Sequence, residues 1–389
     1  MKRKQSDHTM AVRAGAGGGL VARTVNPPVQ RGSTVLIKEA RSLYDPELVT
    51  YGRGGLQPHA ALCEALCELE GAAGARLFPS GLAAMTGAML AVLKAGDDML
   101  VVDCIYAPTR RFCDRVLTRF GVSIRYFDPA LPAQEVAQLM SPETRLIVLE
   151  APGSLTFEMQ DVPAITSAAR DRGVLTLIDN TWGAGLYYKP LSLGVDISVQ
   201  ALTKYVCGHS DVFMGAACAK DPAIVQRLND EIWHVGWACS PDDAYLMLRG
   251  LRTLPTRLDR HGASALEIAA WLASQPGVDE VICPGLSGSR GHELWKRDFL
   301  GQNGLLSLVL APAAPAAVDA FLDALELFGL GFSWGGYESL AISCDPQFAA
   351  REYPPRFTGP LVRLHIGLEN VEDIKGDLSR ALAAFRAAA

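Results

Sequence analysis

The chain has no apolar run long enough to span a bilayer, no paired C-x-x-C spacing, and no surplus of basic residues. The first lack excludes a transmembrane helix. The third, expressed as a formal net charge of −6, removes the basic face that nucleic acid or anionic lipid would require. The nine cysteines, at 63, 67, 104, 113, 207, 218, 239, 283 and 344, are odd in number and scattered. Without metal-type spacing they point to reduced thiols in a cytoplasmic protein, with no metal site expected. Cys63 and Cys67 lie four apart beside Leu62, Leu66 and Leu69 on one helical face, which makes them small core residues rather than ligands. The charged start M-K-R-K-Q-S-D-H-T-M leads into a Gly/Ala-rich run instead of the apolar core of a signal peptide. What is abundant is core-forming material: 49% of the 389 residues are hydrophobic and 20% charged, enough for two or three packed domains and too apolar for disorder.

Two short apolar runs, Val174 to Ile178 and Ile197 to Ala201, organise the rest. Each leads to a polar residue that a buried strand does not carry without a use, Asp179 and Lys204, 25 positions apart. Ligands of open α/β sheets bind outside the carboxyl ends of such strands. A lysine and an aspartate delivered there suit pyridoxal phosphate: Lys204 would form the Schiff base, and Asp179 would keep the pyridine nitrogen protonated. Taken singly, Asp179 also reads as a cap and Lys204 as a solvated strand-end cation.

Residues 1–50, rich in Gly, Pro and Arg and weakly periodic, read as an arm contacting a neighbouring subunit. The glycine-rich turn Tyr51-Gly52-Arg53-Gly54-Gly55 follows, then a helix with Leu62, Ala65, Leu66 and Leu69 on one face. Ser80-Gly81-Leu82 opens an Ala- and Met-rich helix; such a start either offers free N–H groups to a phosphate or is simply an N-cap. Apolar runs at 99–102, 123–126 and 145–149 alternate with helical patterns at 108–120 and 163–172, which implies a mainly parallel sheet clothed by helices, with Tyr106 on its ligand side. From about residue 242 the pattern changes to a long helix running to 271, strands at 305–310 and 361–366, and helices at 315–328 and from Val371. The expected division is therefore a large domain over 51–245 and a smaller α+β domain over 246–389.

Several motifs resemble the Cys/Met-metabolism family of pyridoxal-phosphate enzymes, and within it the bacterial cystathionine β-lyases. These are Y-G-R at 51–53, F-P-S-G at 78–81, E-A-P-G-S at 150–154, I-D-N-T-W at 178–182, T-K-Y-V-C-G-H-S-D at 203–211, S-W-G-G-Y-E-S-L at 333–340 and R-L-H-I-G-L-E at 363–369. The resemblance implies the aspartate-aminotransferase type I fold, with a mainly parallel seven-stranded sheet, and a homotetramer whose active sites are shared between subunits. It implies that Gly81, Leu82 and Thr203 hold the cofactor phosphate, joined by Tyr51 and Arg53 from a neighbour, and that Tyr106 stacks on the ring and moves a proton with Lys204. Arg363 would clamp the substrate carboxylate near Ser333 and Trp334, with Trp233 at the thiol side. The implied reaction is β-elimination of L-cystathionine to homocysteine, pyruvate and ammonia. Its rivals are a broader cysteine-conjugate β-lyase, a γ-lyase or γ-synthase, and a non-catalytic cofactor-binding regulator. Gly153-Ser154 and Trp334 side with β-elimination, whereas the turn Gly54-Gly55-Leu56-Gln57-Pro58-His59, where relatives carry a second arginine and threonines, together with Ala151 and Trp233, departs from the pattern.

Overall fold

The computed structural model describes residues 6–15, 24–45, 48–355 and 357–389. A seven-stranded sheet is built from β1 (Gly74–Phe78), β2 (Asp98–Val102), β3 (Ser123–Phe127), β4 (Thr144–Glu150), β5 (Leu175–Asp179), β6 (Ile197–Ala201) and β7 (Gly215–Ala219). Its order is β1-β7-β6-β5-β4-β2-β3, and only β7 runs antiparallel to its two neighbours. The central parallel strands are apolar on both faces because helices cover both, and β2 is buried at every position. β7, Gly-Ala-Ala-Cys-Ala, is also fully buried. A Cβ at Gly215 would meet the Ser80 carbonyl oxygen at 2.3 Å, so small residues there let the helix Gly81–Val92 lie against the sheet.

A second sheet, ordered β10-β11-β12-β9-β8, contains β8 (Val278–Ile282), β9 (Leu305–Leu310), β10 (Gly329–Leu330), β11 (Leu340–Ser343) and β12 (Leu361–His365). Its core joins Leu306, Leu308, Val362 and Leu364 to Phe321 and Phe385 of the covering helices. Among the described residues no helix is long and apolar enough to cross a membrane, and no group of metal-ligating side chains assembles.

The helix Pro241–Leu272 spans the two parts. Its first half, Met247, Leu248, Leu251, Leu254 and Leu258, shares a core with Tyr205 and Val206, and its second half, Ala265, Ile268, Ala269 and Leu272, belongs to the core of the smaller sheet. The expected boundary between 245 and 246 thus falls just inside this helix. Buried Arg257 ties it to the lysine-bearing turn, donating to the Tyr205 carbonyl at 2.7 Å and to the Gly250 carbonyl at 2.8 Å. At Gly250 a Cβ would come within 2.3 Å of the Val206 and Cys207 carbonyl oxygens, which explains the glycine.

Within the stretch read as an arm, Asp7–Arg13 forms a helix capped by Ser6. It lies on its own chain: Arg252 donates to the Val12 carbonyl at 2.9 Å, and Lys189 pairs with Asp7 at 2.9 Å. Shorter elements also differ from the sequence expectation. The helix read over 315–328 ends at Asp323, since Glu326, Leu327 and Phe328 instead direct their backbone N–H groups to the buried Asp377 carboxylate.

Candidate functional site

A cleft of about 530 Å³ opens at the carboxyl ends of β4, β5 and β6, lined among others by Tyr106, Glu150, Asp179, Lys204, Trp334 and Arg363. Glu150 and Asp179 are register partners at the last positions of β4 and β5. Parallel strands carry their ends to one edge, so three polar residues from separate runs meet at this edge without any local motif linking them.

Lys204 follows β6 by three residues, in a tight turn closed by its own N–H to the Ala201 carbonyl at 3.1 Å. Its Nζ donates to Ser333 Oγ at 2.8 Å and sits 5.3 Å from the Trp334 ring centroid. Burial, and secondly the Arg363 cation, lower this amine to about 8, against the opposing pull of Asp179. An amine so tuned can take up a proton near neutral pH, which an ordinary lysine does not do.

Asp179 is fastened through one oxygen: its Oδ1 accepts from the Thr181 N–H at 2.9 Å and from the Thr181 hydroxyl. Oδ2 has no hydrogen-bond partner among the described residues. Burial raises this carboxyl above the ordinary range, while the Thr181 bonds and Lys204 act the other way. Glu150 is pushed up further, by burial first and by the Asp179 charge second, and accepts the Tyr106 N–H at 2.8 Å. Burial and these two carboxylates also raise the Tyr106 phenol, so that it keeps its proton at neutral pH.

Arg363 crosses the second sheet in β12 and is buried. It donates to the Ser333 carbonyl at 2.9 Å and to the Gly331 carbonyl at 3.3 Å, while its Nε has no partner. Burial lowers it to about 10, still a cation at neutral pH. Gly81 and Leu82 open the helix Gly81–Val92 with Ser80 as its cap, the Ser80 hydroxyl accepting the Ala83 N–H at 3.0 Å. A Cβ on Gly81 would stand 2.4 Å from the Ala201 Cβ, so only glycine lets the helix start reach the end of β6. Thr203 faces the same cleft, its hydroxyl donating to the Met214 carbonyl at 3.2 Å.

Tyr51, Arg53 and Trp233 form a separate cluster that does not line this cleft. The Arg53 guanidinium lies 4.2 Å from the Trp233 ring centroid and 5.9 Å from that of Tyr51, and it donates to the Trp233 carbonyl at 3.2 Å. Sequence reasoning passed over Glu150, Thr181, Arg111, Phe332 and Gln347. Glu150 ends an apolar run as Asp179 does, so the same signal would have found it. Arg111 faces the cleft because it stands three and four residues from Pro108 and Ala107 on one helical face. It has no hydrogen-bond or ion-pair partner among the described residues.

The family model for Cys/Met metabolism PLP-dependent enzymes matches residues 8–383. The chain is 43% identical over 396 aligned residues to the cystathionine beta-lyase of Salmonella typhimurium, covering 98% of this chain and 99% of that protein. It is 41% identical over 388 residues to cystathionine beta-lyase MetC of Escherichia coli, covering 96% and 98%. The crystal structure of a cystathionine gamma synthase from Xanthomonas oryzae, in complex with aminoacrylate and cysteine, superposes with a TM-score of 0.91 at 33% identity, covering all of both chains.

Proposed function

From membership of the Cys/Met metabolism PLP-dependent enzyme family, to which this chain belongs, we propose that it is a carbon–sulfur lyase that cleaves L-cystathionine by β-elimination to homocysteine, pyruvate and ammonia. The observation that carries the reading is the meeting of Lys204, Asp179 and Arg363 in one cleft.

The cleft fits pyridoxal phosphate. Asp179 has a carboxylate oxygen to spare for a pyridinium nitrogen, and the Gly81 and Leu82 N–H groups stand at a helix start suited to phosphate. The Thr203 hydroxyl accepts the Met214 N–H at 3.0 Å and donates to the Met214 carbonyl at 3.2 Å, a long bond that donation to a phosphate oxygen can replace. Lys204 would carry the cofactor and Tyr106 would cover its ring. When bound, the cofactor supplies an electron sink for the pair left at the substrate Cα.

The chain's own residues do the rest. Arg363 takes the α-carboxylate with its planar fork. The Lys204 amine, oriented by Ser333, removes the Cα proton; the Cβ–S bond then breaks with its electron pair on sulfur, and the thiolate is protonated by Lys204 or Tyr106. The three-carbon enamine left behind hydrolyses to pyruvate and ammonia. Ser307 and Cys104 lie behind this surface, and a Cβ at Gly153 would strike Cys104 Sγ at 2.4 Å. Gly153 therefore has a packing reason of its own, and the preference for β- over γ-elimination rests on Trp334, whose indole beside Nζ restricts the swing of the substrate chain that a second deprotonation at Cβ requires.

A broader cysteine-conjugate lyase is the second reading, and Arg111 weighs against it: an unpartnered cation on the cleft suits a substrate with a distal carboxylate. With L-cystathionine, chromatography of the keto acid should show pyruvate; dominance of 2-oxobutyrate would overturn β-elimination. In the same assay Arg111→Ala should raise KM for cystathionine about tenfold or more, the loss expected for one charged hydrogen bond, and leave S-methylcysteine unaffected. Equal effects on both substrates would remove the distal role.

The assembly read here is a cytoplasmic homotetramer in which Tyr51 and Arg53 complete the neighbour's site, a reading supported by their distance from their own cleft and by the exposure of Tyr51. Mixing Arg53→Ala with Lys204→Ala protomers should then restore part of the activity in hybrid dimers. No recovery in hybrids shown to form would mean that one chain supplies both groups to its own site.

A further inference from the structure

The segment 331–339 that carries Ser333 and Trp334 has almost no regular structure, yet it sets the immediate surroundings of the Lys204 amine. Arg363 binds its start at the Gly331 and Ser333 carbonyls and Glu369 binds its end at Ser339, while the turn between them is held by a single buried imidazole. The Gly335 N–H donates to His365 Nε2 at 3.1 Å, and His365 Nδ1 donates to the Glu338 carbonyl at 3.0 Å. One ring thereby staples both ends of a four-residue turn. A neutral imidazole presents one acceptor and one donor in divergent directions from a rigid ring, so a single side chain can serve two backbone groups at once.

The turn has little freedom to be held otherwise. Gly335 has φ +85°, and a Cβ there would lie 2.8 Å from the Tyr205 nitrogen and 2.9 Å from the Lys204 carbonyl carbon. The segment therefore rests directly on the backbone of the catalytic turn, and only glycine permits it. Its neighbours fix the ring itself. His365 is fully buried, with the Tyr205 ring at 5.8 Å and the His261 ring at 5.2 Å, and β12 places it two residues from Arg363, which binds the Ser333 carbonyl.

We propose that His365 is a positioning residue for the lyase reaction: by accepting the Gly335 N–H on an unprotonated Nε2, it keeps Ser333 and Trp334 against the Lys204 amine. Burial and the adjacent His261, Arg363 and Lys204 all push the ring well below its ordinary titration range, in keeping with a permanent acceptor at Nε2. This rests on Lys204 being the working amine, as proposed above.

Two near-isosteric substitutions separate the two edges of the ring. Glutamine carries its amide oxygen to about the place of Nε2, and asparagine carries its amide to about the place of Nδ1. Both lose imidazole volume and should lower thermal stability to a similar degree. His365→Gln should keep the Gly335 amide protected from hydrogen exchange and retain most of kcat. His365→Asn should lose that protection, and kcat with cystathionine should fall about 10- to 100-fold while KM changes little, since a misplacement near one ångström costs about a hundredfold. Unchanged Gly335 protection and kcat in His365→Asn, or a His365→Gln variant as impaired as His365→Phe, would overturn the proposal. The exchange measurement needs no turnover, so a wild-type protein that forms no pyruvate would defeat the lyase reading and leave this one to be judged on exchange alone.

Discussion

Lys204→Ala should abolish pyruvate formation to about a thousandfold below wild type or lower. Two losses combine in it: a general base, worth about 10²- to 10⁴-fold, and the covalent hold on the cofactor. Among the described residues no other lysine lines the cleft, so no substitute is at hand there. Borohydride reduction should fix pyridoxal phosphate to wild-type protein at Lys204 and leave the variant unlabelled. Because the missing group is an amine with a lowered proton affinity, small primary amines added to the variant should restore a fraction of the rate, increasing with the free-base concentration. Substantial turnover in Lys204→Ala, or borohydride labelling at a different lysine, would refute the assignment.

Arg363→Ala should be nearly as damaging. The side chain is buried, and its removal leaves the substrate carboxylate, the Ser333 carbonyl and the Gly331 carbonyl without their donor. Truncating one partner of a buried charge pair costs about 2–5 kcal/mol, which at about 1.36 kcal/mol per decade corresponds to roughly 30- to 5,000-fold in kcat/KM. Arg363→Lys tests geometry against charge. Lysine retains the positive charge but offers a point donor in place of the fork, and it cannot serve the carboxylate and two carbonyls together. KM should therefore rise while part of kcat survives. A lysine variant with wild-type KM would mean that the α-carboxylate is bound elsewhere.

The legible parts of this fold are those where chemistry departs from its surroundings. Asp179 could be singled out because a charged residue ends an otherwise apolar run, and Lys204 because it stands just past another. The central parallel strands were equally plain as apolar runs of Val, Leu and Ile. β7 was not, because Gly-Ala-Ala-Cys-Ala has neither β-branched residues nor alternation; its small size answers to the helix Gly81–Val92, which is distant in sequence. The expected boundary near residue 245 falls within one helix, and a helical pattern does not reveal that such a helix serves two cores in succession. His365 lay inside a quoted motif but could not be assigned a task, since its partners are backbone groups of a turn 27 and 30 residues away in the chain. Trp233 looked like a substrate contact by resemblance alone; its stacking with Arg53 required coordinates.

The helix Pro241–Leu272 has a consequence for modularity. With Leu251 and Leu254 seated beside Tyr205 and Ile268 and Leu272 seated beneath the smaller sheet, neither part owns a complete interior without it. A fragment ending before Pro241 would leave the hydrophobic socket around the lysine turn open to water, and one beginning there would carry an uncovered leucine stripe. The architecture thus offers two sheets but only one cooperative unit, and a recombination crossover within this helix would be tolerated only where both interiors come from the same parent.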